Sequence, residues 1–183
     1  MLLEKIKKNI YFYFPNEISK RYILCLSLLF FFSLLIRLFG IDWDNGFLFH
    51  PDERAIFMHA YDINFSSLKH PNELFSVNSS LNPHWFNYGT LPIYILKIVK
   101  NIIDLFDNLS IYEMRIPARL ISMLIDSSTV ILITYLSRAK LGNLWSLCVG
   151  FIVSISVIHI QNSHFYTTDV FITNFVILTL IFS

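Results

Sequence analysis

The chain has 183 residues, of which 55% are hydrophobic and 15% charged, with a formal net charge of +1. So small a net charge excludes a broad electrostatic surface for nucleic acid, and the apolar residues fall in runs long enough to cross a hydrocarbon layer of roughly 30 Å. A water-soluble domain does not distribute its apolar residues so.

The N-terminal stretch carries Lys5, Lys7, Lys8, Lys20 and Arg21 against Glu4 and Glu17. It leads into an apolar run over 22–41, the first expected crossing. Positive-inside bias sets the N-terminus in the cytoplasm. The run lacks a small-residue cleavage site and reads as a retained signal anchor. Arg37, near its far end, is expected to snorkel to the interface. Cys25 and Cys148 lie in apolar runs and are expected to be small buried hydrophobes rather than disulfide or metal ligands.

An outer loop over 42–112 follows, with Pro51, Pro71, Pro83 and Pro92 and most of the acidic residues. Within it, Leu91 to Phe106 has apolar residues at near-helical spacing interrupted by Lys97, Lys100 and Asp104, the pattern of an interfacial amphipathic helix. A second crossing is expected over 114–136, ending in the basic connector Ser137-Arg138-Ala139-Lys140. A third is expected over 141–160, then a polar outer turn from Gln161 to Thr168, and a fourth apolar run over 168–183. The fold class expected is an all-α polytopic transmembrane bundle, one membrane unit with a long outer loop holding interfacial helices. The short last run suggests the front part of a longer chain.

The loop segment GIDWDNGFLFHPDERAI, Gly40 to Ile56, sets Asp42, Asp44, Asp52 and Glu53 just beyond the first crossing. Two readings stand: a solvated acidic loop, or a carboxylate held at a low-dielectric boundary and suited to general-base work. Pro51 restricts His50 and fixes the chain's course. Asp169, at the mouth of the fourth run, is either a functional acid or part of a helix cap with Thr167 and Thr168. Arg115 and Arg119 share one helical face, suited to pairing with those acids or to gripping a phosphate. Asp126 lies mid-run, as a proton relay or a hydrogen bond to a neighbouring helix. His159 and His164 lack metal-ligand spacing. Sequons at Asn64, Asn78 and Asn108 are short matches in an Asn-rich chain.

In their order, Arg37, the HPDER segment (His50 to Arg54), NPHWFNYGTLPIYIL (Asn82 to Leu96), RIPAR (Arg115 to Arg119) and SHFYTTD (Ser163 to Asp169) resemble the GT-C superfamily of polytopic membrane glycosyltransferases. The nearest branch is that of protein O-mannosyltransferases and aminoarabinose transferases, and the likeness covers nearly the whole chain. It implies inverting transfer of a sugar from a polyprenyl- or dolichyl-phosphate donor to an acceptor hydroxyl or amine on the outer face. By that resemblance Asp52 is the general base, Glu53 supports it, Asp169 orients acceptor or base, and Arg115 or Arg119 holds the donor phosphate. His50 and Tyr88 would position the acceptor or the loop.

No cofactor is required by this reading, although a divalent metal is allowed. Where the aminoarabinose branch has an acid before its interfacial segment, this chain has Asn87 and Tyr88. The partners expected are the lipid-linked donor and membrane lipid, with no nucleic acid; the oligomeric state is left open. The location expected is a multi-pass protein of a bacterial plasma membrane rather than the endoplasmic reticulum. The alternative is a non-catalytic membrane subunit or inactive fragment of such an enzyme.

Overall fold

A computed structural model describes residues 18–65, 72 and 76–183. The basic stretch up to Glu17, Pro71 and the serine of the Asn64 sequon lie outside the described residues. Among those described, the chain forms six helices and no strand. They are α1 (Lys20–Leu38), α2 (Pro51–Asp62), α3 (Leu91–Ile103), α4 (Arg115–Ser154), α5 (Val157–Ser163) and α6 (Thr168–Phe182). Both α1 and α4 are long and apolar enough to cross a membrane.

Ser19 starts α1 by accepting the Tyr22 amide on its Oγ at 3.2 Å, which satisfies one of the amides a helix start leaves free. The helix packs chiefly against α4. Arg37 does not snorkel. It is fully buried, because α4 offers Asp126 within 2.6 Å and the backbone of Ser33 and Ser154 accepts two more of its hydrogens. Cys25 and Cys148 also depart from expectation, since both are exposed. They lie among outward-facing apolar side chains such as Leu24, Leu28 and Ile152.

Although α4 is helical from Arg115 to Ser154, Gly142 interrupts it with φ 76° and ψ −178°. This backbone favours glycine, and the chain turns back on itself there. The two limbs face one another: the place a Gly150 Cβ would take is 2.0 Å from Thr134 Oγ1 and 2.6 Å from Leu29 Cδ2. The expected connector, Ser137 to Lys140, is therefore helical, and the reversal comes just after it. Gly150→Ala is expected to destabilise the fold by about 1–3 kcal/mol through overpacking at a closed helix contact. Comparing thermal midpoints of the two proteins in mild detergent checks this; an unchanged midpoint would mean the contact relaxes freely.

The helix expected over 141–160 is broken at Ile155 and Ser156, with α5 beginning at Val157. The Arg37 guanidinium, bonded to the Ser154 carbonyl at 3.1 Å, caps the helix at this break. Gln161 to Ser163, expected in a turn, complete α5.

The segment 42–112, expected to hold interfacial helices, contains α2 and α3, of which the Leu91–Phe106 pattern marked only the second. In α2, Pro51 occupies the first turn and Asp52 and Glu53 follow it, an arrangement that both suits proline's missing donor and complements the helix dipole. The expected Leu91–Phe106 helix ends at Ile103. Its apolar face, Ile93 and Leu96, is buried in a core shared with Ile56, Phe57 and Ala60 of α2, Met114 and Ala118 at the head of α4, and Tyr166 and Phe171. Residues distant in sequence thus bind α2 and α3 to the ends of α4 and α6, and this core fixes the acidic loop.

Candidate functional site

The acidic loop runs from Gly40 to Leu48 between α1 and α2. Its turns use positive φ at Gly40, Asn45, Gly46 and Leu48. For Leu48, at φ 49°, such a backbone costs about 1–3 kcal/mol. Burial of its side chain to 1% exposure offsets part of this. These turns aim the carboxylates of Asp42 and Asp44 at the first turn of α4.

Arg119 stands at the centre. Its Nε and Nη2 donate to the Glu53 carboxylate at 2.9 and 2.8 Å, and Nη1 and Nη2 to the Asp44 carboxylate at 2.9 and 2.7 Å. The remaining Nη1 hydrogen goes to the Ile41 carbonyl at 3.0 Å. Arg119, Asp44 and Glu53 side chains are all fully buried. A guanidinium has five N–H groups, and each is used. Of the two readings of Arg119, pairing with acids is the one realised; it has no donor left for a phosphate. Burial pushes the Asp44 carboxyl upward, but hydrogen bonds and charge from Arg119 outweigh it and hold it below the usual carboxylate range.

Glu53 also accepts the Tyr166 amide at 3.0 Å, and the Tyr166 hydroxyl donates to the Pro92 carbonyl at 2.8 Å. Tyr166 is fully buried, which raises its phenol well above the ordinary value. The segments HPDER, RIPAR, SHFYTTD and the start of α3 therefore meet at one buried cluster. Sequence reasoning named Asp44 and Glu53 among the acids with which Arg119 could pair, but did not distinguish them from Asp42 and Asp52 and missed Tyr166 as the joint. Tyr166 sits in the polar segment Gln161 to Thr168, whose pattern gave no local sign of a buried joint.

Arg115 is placed differently. Its Nε and Nη2 form a forked pair with Asp42 at 2.6 and 2.8 Å, and Nη1 donates to the Tyr112 carbonyl at 2.8 Å. The hydrogen bonds from Arg115 hold the Asp42 carboxyl below its ordinary range. Asp42 is 44% exposed, so this pair is wet and each Nη of Arg115 keeps a second hydrogen.

Asp52 is the remaining acid of the loop. It is partly exposed in the first turn of α2 and has no hydrogen-bond or ion-pair partner among the described residues. His50 packs its ring against Phe165 with centroids 4.5 Å apart, its Nδ1 buried without a partner. Tyr88 is exposed and meets the edge of Trp85, which stacks on His59.

Asp169 does not join this cluster. It opens α6 beside the N-cap Thr167, with no side-chain cap bond formed, and lines a small cavity with Asp126 and His159. Asp126 makes the inter-helix hydrogen bonds foreseen as one of its readings, to Arg37 of α1 and His159 of α5. His164 sets its two ring nitrogens against the Ile160 and Phe39 carbonyls, and no group of residues arranged to hold a metal occurs among the described residues.

No family model, curated protein or solved structure matches this chain.

Proposed function

We propose that the chain is a multi-pass membrane protein with a cytoplasmic N-terminus, whose outer acidic loop carries a glycosyl-transfer site fed by a lipid-phosphate-linked sugar. The observation that carries this reading is the contrast between adjacent acids: Glu53 is buried and fully engaged, while Asp52 beside it is partly exposed and has no partner among the described residues. A carboxylate poised on a helix that is pinned by its neighbour suits a base that must meet an incoming acceptor. In this scheme the acceptor hydroxyl or amine attacks the anomeric carbon, its proton passes to Asp52, and the bond to the lipid phosphate breaks with inversion.

Glu53 is a positioning residue in this reading, not a reacting one. Arg115 takes the phosphate role, since its spare hydrogens remain beside the wet Asp42 pair and cations facing a leaving phosphate stabilise its growing charge. An open apolar groove of about 640 Å³, lined by Phe39, Trp43, Val157, Ile160 and Phe165, lies next to the loop. Its shape and lining suit the hydrocarbon of a lipid donor. A bacterial plasma membrane is the setting proposed.

The test is transfer of radiolabelled sugar from polyprenyl-phosphate donors in membranes holding the full chain. Asp52→Asn is expected to lower the transfer rate by about 10²–10⁴-fold, with protein level and thermal midpoint unchanged. Undiminished transfer by Asp52→Asn overturns the base assignment. The full engagement of Arg119 favours a second reading, a non-catalytic membrane subunit, and absence of transfer from every donor tried would select it.

A further inference from the structure

A second polar site lies between α4, α5 and α6, apart from the acidic loop. Asp126 is 3% exposed on its side chain and divides its carboxylate between two helices. Oδ2 takes Arg37 Nε at 2.6 Å, and Oδ1 meets His159 Nδ1 at 2.8 Å. A carboxylate paired with an arginine only accepts, so His159 must present Nδ1–H to it. In the neutral ring this leaves Nε2 as a bare acceptor, and no described residue bonds to it. The ring is 23% exposed and borders a cavity of about 200 Å³ lined also by Asp126, Asn162, Asp169, Val170 and Thr173.

Arg37 on α1 pairs with Asp126 on α4, and the His159 ring on α5 borders the cavity with Nε2 unbonded to any described residue. Asp169 on α6 has a carboxylate with no hydrogen bond or ion pair among the described residues. The walls thus offer an imidazole nitrogen, an exposed carboxylate, an amide and a hydroxyl. An acceptor-rich cavity with a carboxylate that no described residue pairs suits a cation that carries its own N–H donors. Tetrahedral ammonium hydrogens can serve Nε2 and the carboxylate together, whereas a bare anion or a hydrocarbon satisfies neither.

We propose that the Asp126–His159–Asp169 cavity binds a primary ammonium group, with His159 Nε2 and the Asp169 carboxylate as its acceptors and Asp126 fixing the histidine tautomer. The site does not depend on sugar transfer at Asp52. The ammonium can come from a free amine or from an amino-lipid headgroup.

The test uses the full chain with ¹⁵N-labelled histidine in phosphatidylcholine nanodiscs, the His159 ring being assigned by His159→Gln. The free protein is expected to show Nδ1 protonated and Nε2 bare. Methylammonium is expected to move the Nε2 resonance saturably, and tetramethylammonium, which has no N–H donor, is expected not to. In Asp169→Asn, a change on the cavity's exposed side, half-saturation should rise about tenfold, as loss of a charge-assisted hydrogen bond implies. Nanodiscs containing phosphatidylethanolamine reproduce the shift without added amine if the headgroup is a source, and leave it to methylammonium alone if the source is soluble. The proposal fails if Nε2 carries the proton instead of Nδ1, or if neither amine source moves it. It fails equally if tetramethylammonium acts as well as methylammonium, or if Asp169→Asn leaves half-saturation unchanged.

Discussion

Arg119→Met is expected to destabilise the protein by about 3–5 kcal/mol, because it removes the one cation that compensates two buried carboxylates. Asp44 and Glu53 both lie at 0% side-chain exposure against the guanidinium. Without it, one or both must take up a proton or drag water inward. The damage extends beyond electrostatics, since Glu53 also bonds the Tyr166 amide and Tyr166 reaches Pro92 at the start of α3. Unfolding of α2 and α3 should therefore precede loss of the α1–α4 contacts. Arg119→Lys is expected to recover only part of the loss, as an ammonium cannot fork to two carboxylates at once. Denaturant titration in detergent, followed by Trp43 and Trp85 fluorescence, measures both effects. Equal midpoints for wild type and Arg119→Met would show the cluster contributes little to the fold.

Arg37→Leu is expected to cost a similar amount, about 3–5 kcal/mol, by removing the arginine that compensates the buried Asp126 carboxylate and leaving it His159 as its remaining hydrogen-bond partner among the described residues. The physical signature lies in the double substitution. Arg37→Leu with Asp126→Leu removes both charges, and most of the lost stability should return, because hydrophobic residues of similar size replace a pair whose desolvation cost is large. The recovery is incomplete to the extent that His159 loses its Asp126 partner and the Ser154 carbonyl loses its Arg37 donor. Thermal midpoints of the single and double variants give the coupling energy directly. If the double variant is no more stable than Arg37→Leu, the stabilising role belongs to the Ser154 and Ser33 contacts instead.

Local pattern made the helices legible because length and apolar content are properties of a segment by itself. The apolar run after Lys20 becomes α1, and the run from Val170 becomes most of α6. Breaks were less legible. The Gly142 reversal leaves helical residues on both sides, so its basic prelude looked like a connector when it is the last turn of a helix. The interruption at Ile155 has no proline or glycine to announce it, and the group that takes the Ser154 carbonyl there is Arg37, over a hundred residues away. In α2, by contrast, the sign is present in Pro51-Asp52-Glu53, a proline and two acids in a first turn.

By itself, then, the sequence determined an all-helical chain with an acid-rich segment after its first apolar run; of the helices formed by the four expected crossings, α1 and α4 are long and apolar enough to cross a membrane. These follow from composition along short stretches, where hydrophobic transfer and helix propensity act locally. Only the tertiary structure decided which charges are spent and which are free. Asp42 and Asp44 are two residues apart, yet one faces water with Arg115 and the other is sealed beneath Arg119. Asp52 and Glu53 are neighbours, yet only Glu53 points into the core. Partnership of this kind depends on where distant helices set their donors, and burial then multiplies the electrostatic consequence. Neither quantity is carried by a residue's neighbours in the chain.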